Sequence, residues 1–192
     1  MKKKIGLFFG SFNPIHIGHL ILANYMANHT DLDEVWLVVS PQNPLKKSKG
    51  LADMYDRLEM AHLGIGDSEK LRASDIEFQL SQPSYTVNTL VYLEEKYPEY
   101  SFSLIMGGDN LQSLHKWKNY EILLRDHEIY VYPRPGYDSG EFGKHPSVHL
   151  TNAPHMEISS TFIRQSLKDG KSIRYLVPDS VIDFIESKGL YS

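Results

Sequence analysis

The sequence contains no cysteine, and this absence excludes disulfide bonds, zinc ribbons and thiol chemistry. It also contains no apolar run near the ~18 residues that a membrane-spanning helix needs, so we expect no membrane insertion. The basic start, Met1 to Lys4, is followed by an apolar run that is too short for a signal peptide. Together these absences predict a cytoplasmic protein.

An excess of positive charge is also missing. The 20 Lys and Arg residues are outnumbered by 24 Asp and Glu residues, which gives a formal net charge of −4. A broad nucleic-acid surface is therefore not expected. Positive charge is instead local, at Lys46, Lys47 and Lys49 in one loop and at Arg164, and this pattern favours a small anionic ligand.

The 192 residues are enough for one domain with a core, and 41% of them are hydrophobic. Short apolar segments alternate with helical patterns, without an internal repeat, low-complexity tract or linker. This alternation predicts a single α/β domain over 1–192, with a Rossmann-like, doubly wound fold. We expect a mostly parallel sheet of five to six strands with helices on both faces. The oligomeric state stays open, homo-oligomers included.

The predicted strands are short and rich in β-branched and aromatic residues. They lie at 5–9, 34–39, within 71–78, and at 101–106, 128–132 and 148–150. Helical spacing predicts helices at 20–27, at 53–65, from about 86 to 97, at 120–125, from about 160, and at 181–188. Ser84 or Thr86 is expected to cap the third of these helices, with Val87, Leu90 and Val91 on its buried side.

The chain is organised around the stretch from Gly10 to His19, with the sequence GSFNPIHIGH. A predicted buried strand precedes it and a predicted helix follows it. The stretch is therefore a turn at the carboxyl end of the first strand, and ligands bind at that edge in open α/β sheets.

The residue types in this turn suit a phosphate group. Gly10 and Ser11 let backbone N–H groups approach a bulky anion. His16 and His19 share one face of a helix start, whose amino end adds a partial positive charge. A purely structural interpretation is also open, in which one histidine caps the helix and the other packs. A His-x-x-His pair could also ligate zinc, but no Cys or carboxylate stands beside it.

Two later stretches also have functional and structural interpretations. Gly107, Gly108 and Asp109 follow the fourth predicted strand, where Asp109 either contacts ribose hydroxyls or magnesium, or caps a helix at 110–114. Trp117, flanked by lysines, is either a half-buried packing residue or a platform on which a flat ring stacks.

Gly10 to His19 resembles the signature G-x-F-x-P-x-H-x-G-H of the nucleotidylyltransferase superfamily. Residues 158–164, ISSTFIR, resemble its second signature, I-S-S-T-x-I-R, and the two occur in the same order as in that superfamily. Within it the chain resembles the bacterial nicotinate-nucleotide adenylyltransferases. This resemblance covers nearly the whole chain, including SYTVNTL at 84–90, where the family has Asp for Asn88, the Gly-x-Asp pattern at Asp109, and Trp117.

The resemblance implies transfer of the adenylyl group of ATP to nicotinate mononucleotide, which gives deamido-NAD and pyrophosphate in NAD biosynthesis. The implied cofactor is Mg²⁺, bound through the ATP phosphates, with no metal ligand supplied by the chain. Implied catalytic residues are His16, His19, Lys46 and Arg164; implied ATP-binding residues are Gly10, Ser11, Phe12, Gly107, Asp109, Ser160 and Thr161; implied nicotinate-binding residues are Tyr85, Thr86 and Trp117. Leu45 stands where the family often has His.

The implied chemistry needs no nucleophile–base pair, because a substrate phosphate oxygen is the nucleophile and is already largely dianionic at neutral pH. Other interpretations stay open. The acceptor could be nicotinamide mononucleotide or phosphopantetheine, or the chain could be a non-catalytic nucleotide-binding module on the same fold. The absence of G-x-G-x-x-G after the first strand argues against a dehydrogenase.

Overall fold

Six parallel strands form one sheet in a computed structural model that describes residues 2–41 and 50–191. The strands are β1 (Lys3–Gly10), β2 (Glu34–Val39), β3 (Leu71–Ser74), β4 (Tyr100–Gly107), β5 (Ile129–Tyr132) and β6 (Val148–Leu150). Their order in the sheet is β3-β2-β1-β4-β5-β6. The chain therefore winds outward from β1 in one direction and then from β4 in the other, which is the doubly wound arrangement predicted from the sequence.

The described residues also form seven α-helices and three short 3₁₀ helices. The α-helices are α1 (Ile17–His29), α2 (Met54–Ile65), α3 (Thr86–Lys96), α4 (Gly108–Gln112), α5 (Tyr120–Asp126), α6 (Ser160–Lys168) and α7 (Asp179–Lys188). The 3₁₀ helices are Ile76–Gln79, Leu114–Lys116 and Glu141–Lys144. No helix in the part of the chain that the structure describes is long and apolar enough to cross a membrane.

The central strands are mostly apolar on both faces because helices cover both faces. Along β2, Val35 and Leu37 contribute to one core cluster and Trp36 and Val38 to the other, as the two-residue period of a strand requires. The first cluster packs against α1, α2, α6 and α7, and the second against α3, α4 and α5. The prediction of a parallel sheet with helices on both faces is confirmed.

The register aligns the carboxyl ends of the central strands at one edge of the sheet. Gly10, the last residue of β1, pairs with Val39 of β2, and Gly107 of β4 pairs with Tyr132 of β5. The winding direction reverses between β1 and β4, so the loops that follow these two strands flank the switch point. Ligands bind at such a crevice in open α/β sheets.

The start of α3 differs from its prediction. Its N-cap is Tyr85, which makes no side-chain cap bond, so neither Ser84 nor Thr86 caps the helix. Val91 is 51% exposed, because the buried stripe is centred on Leu90 and Leu93 and turns Val91 outward.

Candidate active site

The two signatures, far apart in the sequence, lie against each other in the structure. The Ser160 hydroxyl, at the first residue of α6, donates to the Pro14 carbonyl at 2.9 Å. The Arg164 guanidinium, one turn later, donates through Nη1 to the Asn13 carbonyl at 2.7 Å. The amino end of α6 is thereby held beside the loop that follows β1, so two helix amino ends adjoin one loop.

His16 and His19 close the start of α1 as a reciprocal cap. The His19 backbone N–H lies 3.4 Å from His16 Nδ1, and the His16 backbone N–H lies 3.3 Å from His19 Nδ1. The two rings stack with centroids 3.6 Å apart. The structural interpretation of the pair as a cap is therefore correct, and it leaves the other ring nitrogens for a ligand.

This cap determines which nitrogen of each ring carries a proton. Because Nδ1 accepts a hydrogen bond in both rings, the neutral imidazole carries its hydrogen on Nε2. Burial, together with the positive charge of Arg134, lowers the pKa of His16 to about 4. Burial, with His16 and Arg134 nearby, holds the pKa of His19 well below its ordinary value. Both rings are thus uncharged N–H donors at neutral pH.

Phe12 lies in the core, only 2% exposed, and its ring meets His19 edge-on at a centroid distance of 5.0 Å. Any contact of this residue with a ligand would therefore come from its backbone. The ring also explains the glycine at the end of β1, because a Cβ on Gly10 would lie 2.8 Å from the Phe12 ring. Phe12 adopts a φ of 44°, a conformation that non-glycine residues rarely take.

Asp109 does not cap a helix, so that interpretation is wrong. It lies inside α4, whose N-cap is Gly107. Its Oδ1 lies 3.6 Å from Arg134 Nε, and neither of these buried atoms has a hydrogen-bond partner among the described residues. Gly107 leaves room for this carboxylate, since a Cβ there would lie 2.4 Å from Asp109 Oδ1.

Arg134 is a candidate that sequence reasoning missed. It follows the carboxyl end of β5 and lies over the Tyr132 ring, 5.6 Å from its centroid. It also lies close enough to the histidine pair to lower both pKa values. The sequence did contain a signal for this residue, because Arg134 is a cation that comes just after a predicted strand, at the edge of the sheet where a ligand is expected.

The polar residues of the second signature each make a different hydrogen bond. Ser159 caps α6 by accepting from the Phe162 backbone N–H at 3.2 Å. The Ser160 hydroxyl hydrogen is used in the bond to Pro14, so this residue offers a ligand its backbone N–H. The Thr161 hydroxyl accepts from Arg164 Nη2 at 3.4 Å. Arg164 is thus oriented by two contacts and keeps further N–H groups for an anion.

The predicted nicotinate residues lie on the other face of the sheet. Tyr85 and Trp117 both pack against the second core cluster. Lys118, next to Trp117, lies 4.5 Å from the centroid of the Tyr85 ring, which brings the two segments together. In the described part of the chain, the Thr86 backbone N–H at the start of α3 and the buried Nε1–H of Trp117 have no hydrogen-bond partner.

A buried acid organises the approach to α3, and sequence reasoning missed it. Glu77 is 3% exposed, and its Oε1 accepts from the Thr89 hydroxyl at 2.9 Å. Ser40, after β2, and Ser84, before α3, lie close enough to this carboxyl group to lower its pKa. Burial raises the pKa of Glu77 despite these donors.

Arg57, in α2, is buried and donates only to backbone carbonyls. Its Nη1 donates to Ser11 at 2.7 Å and to Ser40 at 2.8 Å, and its Nη2 donates to Pro41 at 3.0 Å. It therefore ties together the loops that follow β1 and β2. Lys46, the predicted triphosphate residue, lies outside the described residues.

The described residues do not form a metal cage. Within 2–41 and 50–191, no three His, Asp or Glu side chains come together in a way that could hold a metal ion. Among these residues, no His, Asp or Glu side chain joins His16 and His19 as a third ligand of the kind that zinc prefers.

Comparison with known proteins gives a consistent result. A family model described as cytidylyltransferase-like matches residues 7–166. A relative named nicotinate-nucleotide adenylyltransferase from Flavobacterium psychrophilum is 57% identical over 98% of each chain. Among solved structures, the nicotinic acid mononucleotide adenylyltransferase of Plasmodium falciparum complexed with NaAD is similar, with a TM-score of 0.83 and 25% identity. That alignment covers 98% of this chain and 97% of the other.

Proposed function

We propose, from the premise that this chain belongs to the nicotinate-nucleotide adenylyltransferases of the cytidylyltransferase-like family, that it joins ATP and nicotinate mononucleotide. The reaction gives deamido-NAD and pyrophosphate, a step of NAD biosynthesis. The observation that carries the proposal is the contact between the two signatures, in which Ser160 and Arg164 bond to the loop of His16 and His19.

The reaction needs positioning and charge stabilisation more than proton transfer. The phosphate of nicotinate mononucleotide has a second pKa of ~6 and attacks the α-phosphorus of ATP as a dianion. A new P–O bond forms at that phosphorus, and the bond to pyrophosphate breaks with its electron pair on the leaving group. The protein's task is to hold two anions in line and to stabilise the departing charge.

On the triphosphate side, the Nε2–H groups of His16 and His19 donate to the α- and β-phosphates. Because both imidazoles are neutral, they supply directed hydrogen bonds without charge. Positive charge comes from Arg164, and we assign Lys46 to the same task. Thr161 and the backbone N–H of Ser160 contact the β- and γ-phosphates at the amino end of α6.

Adenosine and nicotinate occupy the two sides of the switch point. Gly10, Ser11 and the Phe12 backbone face the adenosine, with Gly107 and Asp109 on the β4 side. The backbone N–H of Thr86, with Tyr85, holds the nicotinate carboxylate at the amino end of α3, and the Trp117 ring stacks on the pyridine. A helix amino end favours a carboxylate over the neutral carboxamide of nicotinamide.

Nucleotidyltransferases generally use a divalent metal with the nucleoside triphosphate, and we propose Mg²⁺ here. Asp109 and the phosphates suit a cation that prefers oxygen ligands and keeps several waters, as Mg²⁺ does at triphosphates. When bound, it neutralises charge on the triphosphate. Asp109 would be the residue of this chain that helps to hold the ion, together with the phosphates of ATP.

We extend the domain to 1–192, beyond the matched 7–166, because Val181 and Ile185 of α7 belong to the same core cluster as β1 and β2.

A cytoplasmic location fits an enzyme that uses ATP and a mononucleotide.

The test is pyrophosphate release from ATP, Mg²⁺ and nicotinate mononucleotide by the wild type, by His19→Ala and by His62→Ala. Loss of one well-placed donor typically costs ~10²–10³ in turnover, and we expect that loss for His19→Ala. His62 is an exposed histidine of α2, so His62→Ala should match the wild type. Turnover of His19→Ala within a few-fold of the wild type would contradict the assignment, and a wild type that binds ATP without releasing pyrophosphate would indicate a binding module.

A further inference from the structure

Tyr191 reaches back from beyond α7 to the loop of the first signature. The helix ends at Gly189, and Tyr191 follows with a φ of 67°. Its ring packs against the first core cluster, and its hydroxyl donates to Asn13 Oδ1 at 2.6 Å. Burial raises the pKa of Tyr191, so the hydroxyl stays protonated and remains a donor at neutral pH.

Asn13 is a junction between three segments. Its Nδ2 donates to the Gly50 carbonyl at 2.9 Å, and its Oδ1 accepts from the Ala52 backbone N–H at 3.1 Å. Its own carbonyl accepts from Arg164 Nη1 at 2.7 Å. The Gly50 carbonyl can only accept and the Ala52 N–H can only donate, so these two groups fix the amide with Oδ1 facing Ala52 and Nδ2 facing Gly50, and the Tyr191 hydroxyl donates to the same Oδ1.

We propose that Tyr191 is a positioning residue for adenylyl transfer, which acts through Asn13 on the orientation of Arg164. This inference rests on the proposed function. The hydroxyl holds the Asn13 side chain, the side chain holds the backbone at this point of the loop, and the Asn13 carbonyl fixes one arm of the Arg164 guanidinium. The remaining N–H groups of Arg164 are then aimed before the triphosphate arrives, which is how positioned groups lower a barrier.

The effect should be confined to one substrate. Asn13 and Arg164 lie on the triphosphate side, whereas Tyr85, Thr86 and Trp117 lie against the opposite core cluster. Loss of the Tyr191 hydroxyl should therefore lower kcat/KM for ATP and leave KM for nicotinate mononucleotide unchanged. A purely structural role for Tyr191 would lower the melting temperature without such a split.

The experiment compares Tyr191→Phe with Tyr175→Phe. Tyr175 also has a positive φ, 69°, but is 80% exposed, so it is a matched control. For Tyr191→Phe we expect kcat/KM for ATP to fall about five- to tenfold and the melting temperature to fall by about 2–4 °C. Both effects correspond to the loss of one hydrogen bond. KM for nicotinate mononucleotide should stay within about twofold of the wild-type value. Unchanged kcat/KM for ATP, or an equal fall for both substrates, would overturn the inference.

A double-mutant cycle tests the route through Arg164. Adding Tyr191→Phe to Arg164→Ala should cost little beyond the single Arg164→Ala change, because the group that Tyr191 orients is already absent. A full, additive loss would overturn the route. An inactive wild type would overturn the proposed function and this inference with it, whereas an active wild type with an unaffected Tyr191→Phe would overturn the inference alone.

Discussion

The two histidines of the first signature each use one ring nitrogen for the cap of α1. Nδ1 of each ring accepts from the other residue's backbone N–H and closes the start of α1, which leaves Nε2–H as the donor that we propose for a phosphate. A lysine or arginine at these positions could donate but could not accept the backbone N–H. The cap therefore explains why imidazoles, rather than permanent cations, stand here.

The lowered pKa of His16 predicts how stability depends on pH. With a pKa of about 4 folded and about 6.5 unfolded, the folded protein binds fewer protons between these values. The stability that comes from keeping His16 neutral is complete above pH 6.5 and is lost as the pH falls toward 4. The two values bound this contribution at about 3 kcal/mol.

Urea unfolding of the wild type and of His16→Asn between pH 4 and pH 7.5 measures this dependence. The wild type should lose more free energy of unfolding than His16→Asn as the pH falls, because Asn does not titrate. The difference between the two slopes isolates His16 from the other titrating groups. Parallel curves would show that His16 does not titrate with a lowered pKa in the folded protein.

At the scale of single elements, the central strands β2, β4 and β5 were predictable because each is a short, mostly apolar run that is buried on both faces. The starts of α3 and α4 were not, because a cap depends on which residues the tertiary structure brings near. Ser84 does not cap α3, since Tyr85 occupies the N-cap position and Ser84 lies near the buried Glu77 carboxyl, whose pKa it lowers. Asp109 does not cap α4, since its carboxylate lies beside Arg134, which is on another strand's loop.

The first two serines of the second signature are expected to have different roles, one in the stability of α6 and the other in activity. Ser159 caps α6 and, among the described residues, makes no hydrogen bond to the first signature, whereas the Ser160 hydroxyl donates to the Pro14 carbonyl. We expect Ser159→Ala to lower the free energy of unfolding by about 1 kcal/mol, with kcat/KM near the wild-type value. We expect Ser160→Ala to lower kcat/KM for ATP, because it releases α6 from the loop of the histidines.

Denaturant unfolding and steady-state pyrophosphate release on the same two preparations test this separation. A Ser159→Ala enzyme with a large kinetic defect, or a Ser160→Ala enzyme with unchanged kinetics, would contradict the division of roles between the two serines.

At the scale of the whole molecule, the order of the strands in the sheet determines where the candidate site lies. The chain reverses direction between β1 and β4, and the crevice there receives the loops of both signatures. Motif order and spacing were enough to predict this placement. They could not predict Glu77, Arg134 or Tyr191, because each acts through contacts between segments that are distant in the sequence.

The same geometry explains why a transferase of this kind needs no side chain that acts as a nucleophile or as a general base. In the proposed mechanism, neutral donors, two helix amino ends and a few arginines surround the place where two phosphates meet. A preorganised environment of this kind stabilises charge without reorganising during the reaction, and in most enzymes such stabilisation contributes more to the rate than any other effect.

The most direct test of this account is an acceptor comparison. The wild type is given ATP and Mg²⁺ with nicotinate mononucleotide, nicotinamide mononucleotide or phosphopantetheine, and pyrophosphate release is followed in each case. We predict strong release with nicotinate mononucleotide and little with the other two, because the amino end of α3 favours a carboxylate. Equal or stronger release with nicotinamide mononucleotide or phosphopantetheine would contradict the roles given to Tyr85, Thr86 and Trp117, and no release with any acceptor would contradict the account as a whole.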